Sequence, residues 1–226
     1  MLIDTFFRAA RGKHESQDYS IHDDNNVILC DGCTSSPLTE IGSRLLAHSA
    51  LSWINHYDDP LYDPSLIINS ANFAANNVGL PQECLDCTLL TIRLRGDKTY
   101  INCFGDGAIA YDGNIISLKY SGNAPYYISY LLDKDRHDAW VAGNHKFTAN
   151  GFELSIPRFN FELLNFNRLA IFSDGIEQFE GKEPREVINE TFAIKTTKDK
   201  FLKRRCNHIS KDHEDDFSVG MVLNEN

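Results

Sequence analysis

No stretch of this 226-residue chain approaches the roughly 18 consecutive apolar residues that a membrane-spanning helix requires, so no membrane association is expected. The first residues, MLIDTFFRAARGK, carry an acid early and their bases after the apolar part. That is the reverse of a secretory leader. Positive charge is in short supply: 22 Lys and Arg against 32 Asp and Glu give a net charge of −10. A chain so acidic is a poor match for nucleic acid, whose binding rests on neutralising phosphates. Internal repeats, low-complexity tracts and linkers are also missing. A single domain over residues 1–226 follows, in the cytoplasm, with its six cysteines reduced.

What the sequence does contain is an ordinary globular mixture, 42% hydrophobic and 24% charged. Residues 2–10 alternate and are rich in Phe, as a strand would be. NNVILCDG is a short apolar run closed by turn residues, which predicts a buried strand. SSPLTEIGSRLLAHSALSWINHY predicts a helix capped by Ser36 with Pro37 in its first turn and Glu40 at its positive end. Its apolar stripe would be Ile41, Leu45, Leu46, Trp53, Ile54 and Tyr57. A second helix starts at the Asp63 cap and Pro64 and stops near Gly79. From Cys87 to Tyr120, the separators RGDK, GDG and YDGN divide apolar segments as an antiparallel meander. Residues 121–166 read as irregular and aromatic, with a short helix around 124–133. NRLAIFSDG is a buried strand, 185–211 mostly helix, and DDFSVGMVL a closing strand. Segregated runs of strands and helices indicate an α+β domain.

Four aspartates stand at strand ends. Asp31 follows VILC, Asp106 follows YINCFG, Asp174 follows RLAIFS, and Asp215 precedes FSVGMV. In an antiparallel sheet the exit of one strand lies beside the entrance of the next, so these carboxylates can meet at one edge. Gathered there they repel one another unless a cation intervenes, and an oxygen-only donor set suits a hard ion such as Mg²⁺ or Mn²⁺. Gly32, Gly107 and Gly175 follow three of the four, where a missing Cβ permits a sharp turn and a close carbonyl. A single Asp-Gly is more often a plain turn. Four such acids in register with strands are not.

In order along the chain, ESQDYS, LCDGCTSSPLTEIGSRLLAHSA, LDCTLLTI, NCFGDGAIAY, LAIFSDGIEQF and EDDFSVGMVL resemble the motifs of the metal-dependent serine/threonine protein phosphatases of the 2C type. The resemblance implies a four-layer αββα sandwich, two antiparallel β-sheets flanked by helices, with 121–166 as a flap-like insertion beside the active site. It implies two Mn²⁺ or Mg²⁺ ions bridged by Asp31, with the Gly32 carbonyl, Asp174 and Asp215 as further ligands. Asp106 would serve a third, weaker ion, and Asp18 would hold metal-bound water. Two such ions sharpen a bridging water and clamp the phosphoryl oxygens for in-line displacement. Where the family has a phosphate-binding arginine, this chain has Lys13, which offers charge without a two-pronged grip. His14 is a candidate general acid for the leaving alkoxide. For both, a plain surface-turn role is the competing reading. The chain departs from the family pattern at Gln17 (often Glu), Asp216 (usually Asn), Gly107 (usually Ser) and in CTSS, which replaces a glycine-rich stretch.

The implied activity is hydrolysis of phosphoserine and phosphothreonine in a protein substrate whose phosphate a cognate kinase installs. The alternative is a weak or inactive phosphatase-like module that binds phosphoproteins or regulates a kinase. Two C-x-x-C pairs, Cys30/Cys33 and Cys84/Cys87, raise a third idea, a zinc-held interaction module. Some fifty residues and two predicted helices separate the pairs, against 15–20 residues in a zinc ribbon, and small buried thiols account for them better. KDKFLKRRCNH is a basic stretch that reads first as a solvated helix face and second as a dock for an acidic or phosphorylated partner.

Overall fold

Strand β3 (Asn26–Cys30) shows how the apolar runs are used. All five of its residues are buried. Val27 and Leu29 enter one hydrophobic layer, Ile28 and Cys30 another. A strand covered on both faces needs no polar alternation. Strand β11 (Arg168–Phe172) repeats the arrangement, with Leu169 and Ile171 on one side and Ala170 and Phe172 on the other.

The computed structural model describes residues 1–57, 63–193, 201–209 and 214–224. The first sheet has seven strands. They run in the order β1 (Leu2–Arg8), β12 (Phe217–Leu223), β11, β6 (Gly107–Tyr111), β7 (Asn114–Tyr120), β8 (Phe147–Ala149), β9 (Phe152–Leu154). The second has five: β10 (Phe159–Leu163), β5 (Lys98–Phe104), β4 (Leu89–Arg95), β3, β2 (Tyr19–His22). Every neighbouring pair is antiparallel. The sheets face each other across Val27, Leu29, Leu90, Ile109, Ile171 and Val222. Helices α1 (Thr39–His56) and α2 (Pro64–Asn77) cover the outer face of the five-stranded sheet. Helices α4 (Pro184–Phe192) and α5 (Phe201–Ile209) cover that of the seven-stranded sheet. The four-layer αββα sandwich is therefore present. Among the described residues no helix is long and apolar enough to cross a membrane.

Helix α2 begins as expected, with Asp63 accepting from the Ser65 amide at 2.9 Å. Helix α1 does not. It starts at Thr39 behind Leu38, which takes a left-handed conformation (φ 58°) and offers no cap. Ser36 is committed elsewhere: its hydroxyl donates to Asp86 Oδ2 at 2.7 Å. The inward stripe also differs. Gly42, Ser43, Leu46, Ala47, Ala50 and Ile54 are buried, while Ile41 and Tyr57 are exposed. Small side chains let the helix lie close to the turn at Gln82–Leu85, where a stripe of large ones would hold it off.

The central segment is not one meander. RGDK and YDGN turn the β4–β5 and β6–β7 hairpins, but GDG carries the chain from one sheet to the other. Gly107 makes that crossing with φ 134°, and a Cβ there would lie 2.4 Å from the Phe172 carbonyl oxygen. Residues 121–166 are more regular than expected. Their helix, α3, is Lys134–Ala142, preceded by a short 3-10 turn at Ile128–Leu132, and their three strands extend both sheets. The basic stretch lies partly outside the described residues. Its described part, α5, buries Phe201, Leu202 and Cys206 and exposes Lys203 and Arg204.

Candidate metal centre and catalytic cleft

The crossing at Gly105–Asp106–Gly107 sets the position of the site. At that end of the sandwich, Asp31 leaves β3 of one sheet while Asp174 leaves β11 and Asp215 and Asp216 enter β12 of the other. Register does the rest. Phe172 pairs with Val219, so the residues beyond them, Asp174 on one strand and Asp216 on the next, come alongside. A cleft of about 300 Å³ opens there, lined by Gln17, Asp31, Gly32, Asp106, Asp174, Asp215 and Asp216 among others. Cys33, Thr34, Ser35 and Thr88 form one flank, and Asn123, Pro125 and Tyr127 another.

The loop after β3 is held on both sides. The Asp31 amide donates to Thr88 Oγ1 at 3.0 Å, the Thr88 amide to the Asp31 carbonyl at 2.8 Å, and the Cys33 amide to the Asp86 carbonyl at 2.8 Å. Gly32 bridges to Cys87, and a Cβ on it would sit 2.7 Å from Thr39 Cβ and 2.9 Å from the Gln17 carbonyl. Glycine thus lets three segments close on one point.

Four carboxyls crowd together here, Asp18 and Asp106 buried and Asp31 and Asp174 half-buried, with the charge of Lys119 offsetting part of the shift at Asp106. Burial pushes Asp18 up to about 7, with hydrogen bonds to Asp31 and Ser173 working against the shift. Burial, then the charges of Asp18 and Asp174, push Asp31 well above the usual carboxylate range. Asp106 is raised to about 7 by burial and by Asp174. Asp174 is raised by burial, and by the charges of Asp215 and Glu177. Asp18 is 1% exposed, and its Oδ2 has no hydrogen-bond partner among the described residues. Among those residues no three His, Cys, Asp or Glu side chains already surround one point as a bound ion would hold them. Asp31 instead stands within hydrogen-bonding reach of Asp18 and Asp174. The donor set is all oxygen, part of it buried and unpartnered. Those features fit a hard divalent cation.

Lys13 stands at the rim. Its Nζ lies 3.3 Å from Asp216 Oδ1, 3.6 Å from Asp215 Oδ1 and 3.3 Å from Gln17 Oε1. Asp216, the departure from Asn, accepts the Ala10 amide on Oδ1 and the Gln17 amide on Oδ2, each at 2.7 Å. An asparagine has one oxygen for those two amides. Asp216 and Lys13 therefore form a matched pair that ties the 10–17 loop to β12. The second acid of the Asp-Asp doublet was the only trace of this in the sequence. His14 is not brought to the cleft. It lines a separate groove with Phe7, Arg8, Glu15, Glu40, Ile41 and Arg44. The cleft lining does not include His14, so the general-acid role expected of it is not joined to the acidic cluster.

The two C-x-x-C segments do lie together, since α1 and α2 form an excursion that returns to its starting point. All six cysteines are free; Cys30, Cys84 and Cys87 are buried, and only Cys33 reaches the cleft. Burial works to raise the Cys33 thiol, but hydrogen bonds led by Ser35 and Tyr127 outweigh it and the net shift is downward.

A family model described as protein phosphatase 2C matches residues 9–215. No curated protein sequence matches the chain. Among solved structures, the Ser-Thr phosphatase MsPP of Mycobacterium smegmatis, crystallised with cacodylate, is 16% identical with a TM-score of 0.60, over 100% of this chain and 99% of its own. Stp1 of Staphylococcus aureus, a serine/threonine phosphatase, is 15% identical with a TM-score of 0.63, over 100% and 96%. The catalytic domain of the phosphatase PstP, solved with two manganese ions, is 15% identical with a TM-score of 0.58, over 97% and 96%. At these identities the structures attest the fold, while the family model spans nearly the whole chain. The chain belongs to the protein phosphatase 2C family and is a metal-dependent phosphoprotein phosphatase.

Proposed function

We propose that the acidic cleft hydrolyses phosphoserine and phosphothreonine esters of protein substrates with two Mn²⁺ or Mg²⁺ ions. Asp31, the Gly32 carbonyl, Asp174 and Asp215 would hold the pair, and Asp106 would serve a weaker third. Bound there, such ions polarise water and phosphoryl oxygens for in-line displacement. The observation that carries this reading is the convergence of Asp31, Asp106, Asp174 and Asp215 on one cleft, with Asp18 buried next to Asp31 and its Oδ2 unpartnered.

The chain's own residues then have distinct tasks. Asp18, buried next to Asp31 with an unpartnered Oδ2, would hold water at the metal site. Lys13 supplies positive charge to an arriving phosphate, exchanging its present carboxylate partners for a phosphoryl oxygen. Asn123, Pro125 and Tyr127 wall the cleft where the peptide around the phosphoresidue would lie. The free thiols support a reducing compartment, the cytoplasm, and the substrate implies a kinase that phosphorylates it. The intact acid set argues against an inactive phosphoprotein-binding module.

The test uses p-nitrophenyl phosphate and a phosphothreonine peptide. Hydrolysis that requires added Mn²⁺, stops with EDTA and disappears in Asp31→Asn is the expected result. Mn²⁺ binding without turnover would transfer the chain to the inactive reading.

A further inference from the structure

Behind the cleft wall lies a buried polar knot that the proposed chemistry does not use. Asp86 is 2% exposed and does not line the cleft. Its Oδ1 accepts from Ser129 Oγ at 2.6 Å, and its Oδ2 accepts from Ser36 Oγ at 2.7 Å and from Arg136 Nη2 at 2.7 Å. The Arg136 guanidinium lies over the Tyr130 ring, 4.7 Å from its centroid. Asp133 caps α3 by accepting the Asp135 and Arg136 amides, which fixes where Arg136 leaves the helix.

Asp86 and its partners join three segments. Ser36 belongs to the loop that carries Asp31, Gly32 and Cys33 into the cleft. Ser129 and Arg136 belong to the stretch whose preceding residues, Asn123, Pro125 and Tyr127, make the opposite wall. Asp86 sits in the turn whose carbonyl holds the Cys33 amide. One carboxylate thus joins the metal-ligand loop to the peptide-facing wall, and Tyr127 completes the link through its hydrogen bond with Cys33.

We propose that the Asp86–Arg136 ion pair is a positioning device that sets the Asn123–Tyr127 wall against the Asp31–Cys33 loop, and so governs how well a phosphopeptide, rather than a bare phosphate ester, fits the cleft. The proposal rests on the phosphatase reading for its substrate and on geometry alone for its mechanics. The wall touches whatever flanks the phosphate. The knot touches neither phosphate nor ligands. Loosening it therefore weakens engagement of the flanking peptide and leaves the reacting centre in place.

The test is Arg136→Met, which removes the guanidinium from Asp86 and from the Tyr130 ring but leaves Asp86 its two serine donors, with Arg136→Lys as the conservative variant. For a phosphothreonine peptide, Arg136→Met should raise KM about tenfold, close to 1.4 kcal/mol, with kcat little changed. The KM for p-nitrophenyl phosphate should move less than twofold, and Arg136→Lys should recover most of the peptide KM. In the same protein, amide exchange should quicken over residues 121–133 and stay unchanged in β3, β4 and β11. Equal KM changes for both substrates, a fall in kcat alone, or exchange that rises throughout the fold would overturn the proposal. If the wild type hydrolyses neither substrate, the phosphatase reading fails, and the exchange pattern still decides whether the pair holds the wall.

Discussion

Two groups of buried and half-buried aspartates sit within one end of this sandwich and are treated in opposite ways. Asp86 and Asp216 are saturated with donors: a guanidinium and two hydroxyls for the first, two amides and an ammonium for the second. Asp18, Asp31, Asp106 and Asp174 have mainly each other, and all four are raised in proton affinity. The first group uses its charge to build the scaffold. The second has few donors of the protein's own and gathers at a cleft that something can enter later. Burial alone therefore does not identify a functional acid. The informative feature is whether donors of the protein's own have been supplied.

The sharpest break in this comparison comes from neutralising one member of each group. Asp31→Asn or Asp174→Asn should reduce Mn²⁺-dependent turnover by about a hundredfold or more, beyond what outer partners of a metal typically cost. The far-ultraviolet circular dichroism should be retained. Asp86→Ala should act on stability instead, because it strands the Arg136 guanidinium and two serine hydroxyls. A loss of about 3 kcal/mol in urea unfolding is expected. If Asp31→Asn destabilised the metal-free fold as much as Asp86→Ala, the distinction between the groups would collapse.

Titration sharpens the contrast. Asp18 and Asp106 move from 3.8 to about 7 on folding, so between those values the folded state binds more protons than the unfolded. Their contribution is fully present below pH 3.8 and is lost as pH rises through about 7. In EDTA, Asp106→Asn should unfold at higher urea than wild type at pH 8, by about 2 kcal/mol, with the gap closing toward pH 4. Added Mn²⁺ should reverse the order, since it stabilises the ionised cluster. The smallest effect is expected from Cys30→Ala with Cys33→Ala. Activity should stay within about tenfold of wild type, apart from the packing loss at Cys30. Stoichiometric zinc lost in that variant would restore the thiols to the metal chemistry.

The layers and the acids were legible in the sequence because both obey local rules. VILC and RLAIF are apolar on consecutive residues, as strands covered on both faces must be, and each is followed by its aspartate. What escaped was nonlocal. GDG looks like a hairpin turn, and only the sheet order shows that it joins two sheets. Ser36 looks like a helix cap, but Asp86, fifty residues on, takes its hydroxyl. The separation of the two cysteine pairs argued against their meeting, yet an α1–α2 excursion closes that gap. Lys13 was found through the family pattern and lies at the rim; His14, its neighbour by one residue, lines a separate groove. Asp216 was noted only as a departure, because its two amide partners lie some two hundred residues away.

The sheet-to-sheet crossing at Asp106 has a mechanical consequence. Asp18 and Asp31 are anchored on one half of the sandwich, Asp174 and Asp215 on the other, so the cluster straddles the seam. Sliding the halves by even an ångström would scatter the donors while leaving every strand intact. An ion seated there would act as a rivet through both plates, and anything that clamps or shears the plates elsewhere would be felt at the rivet.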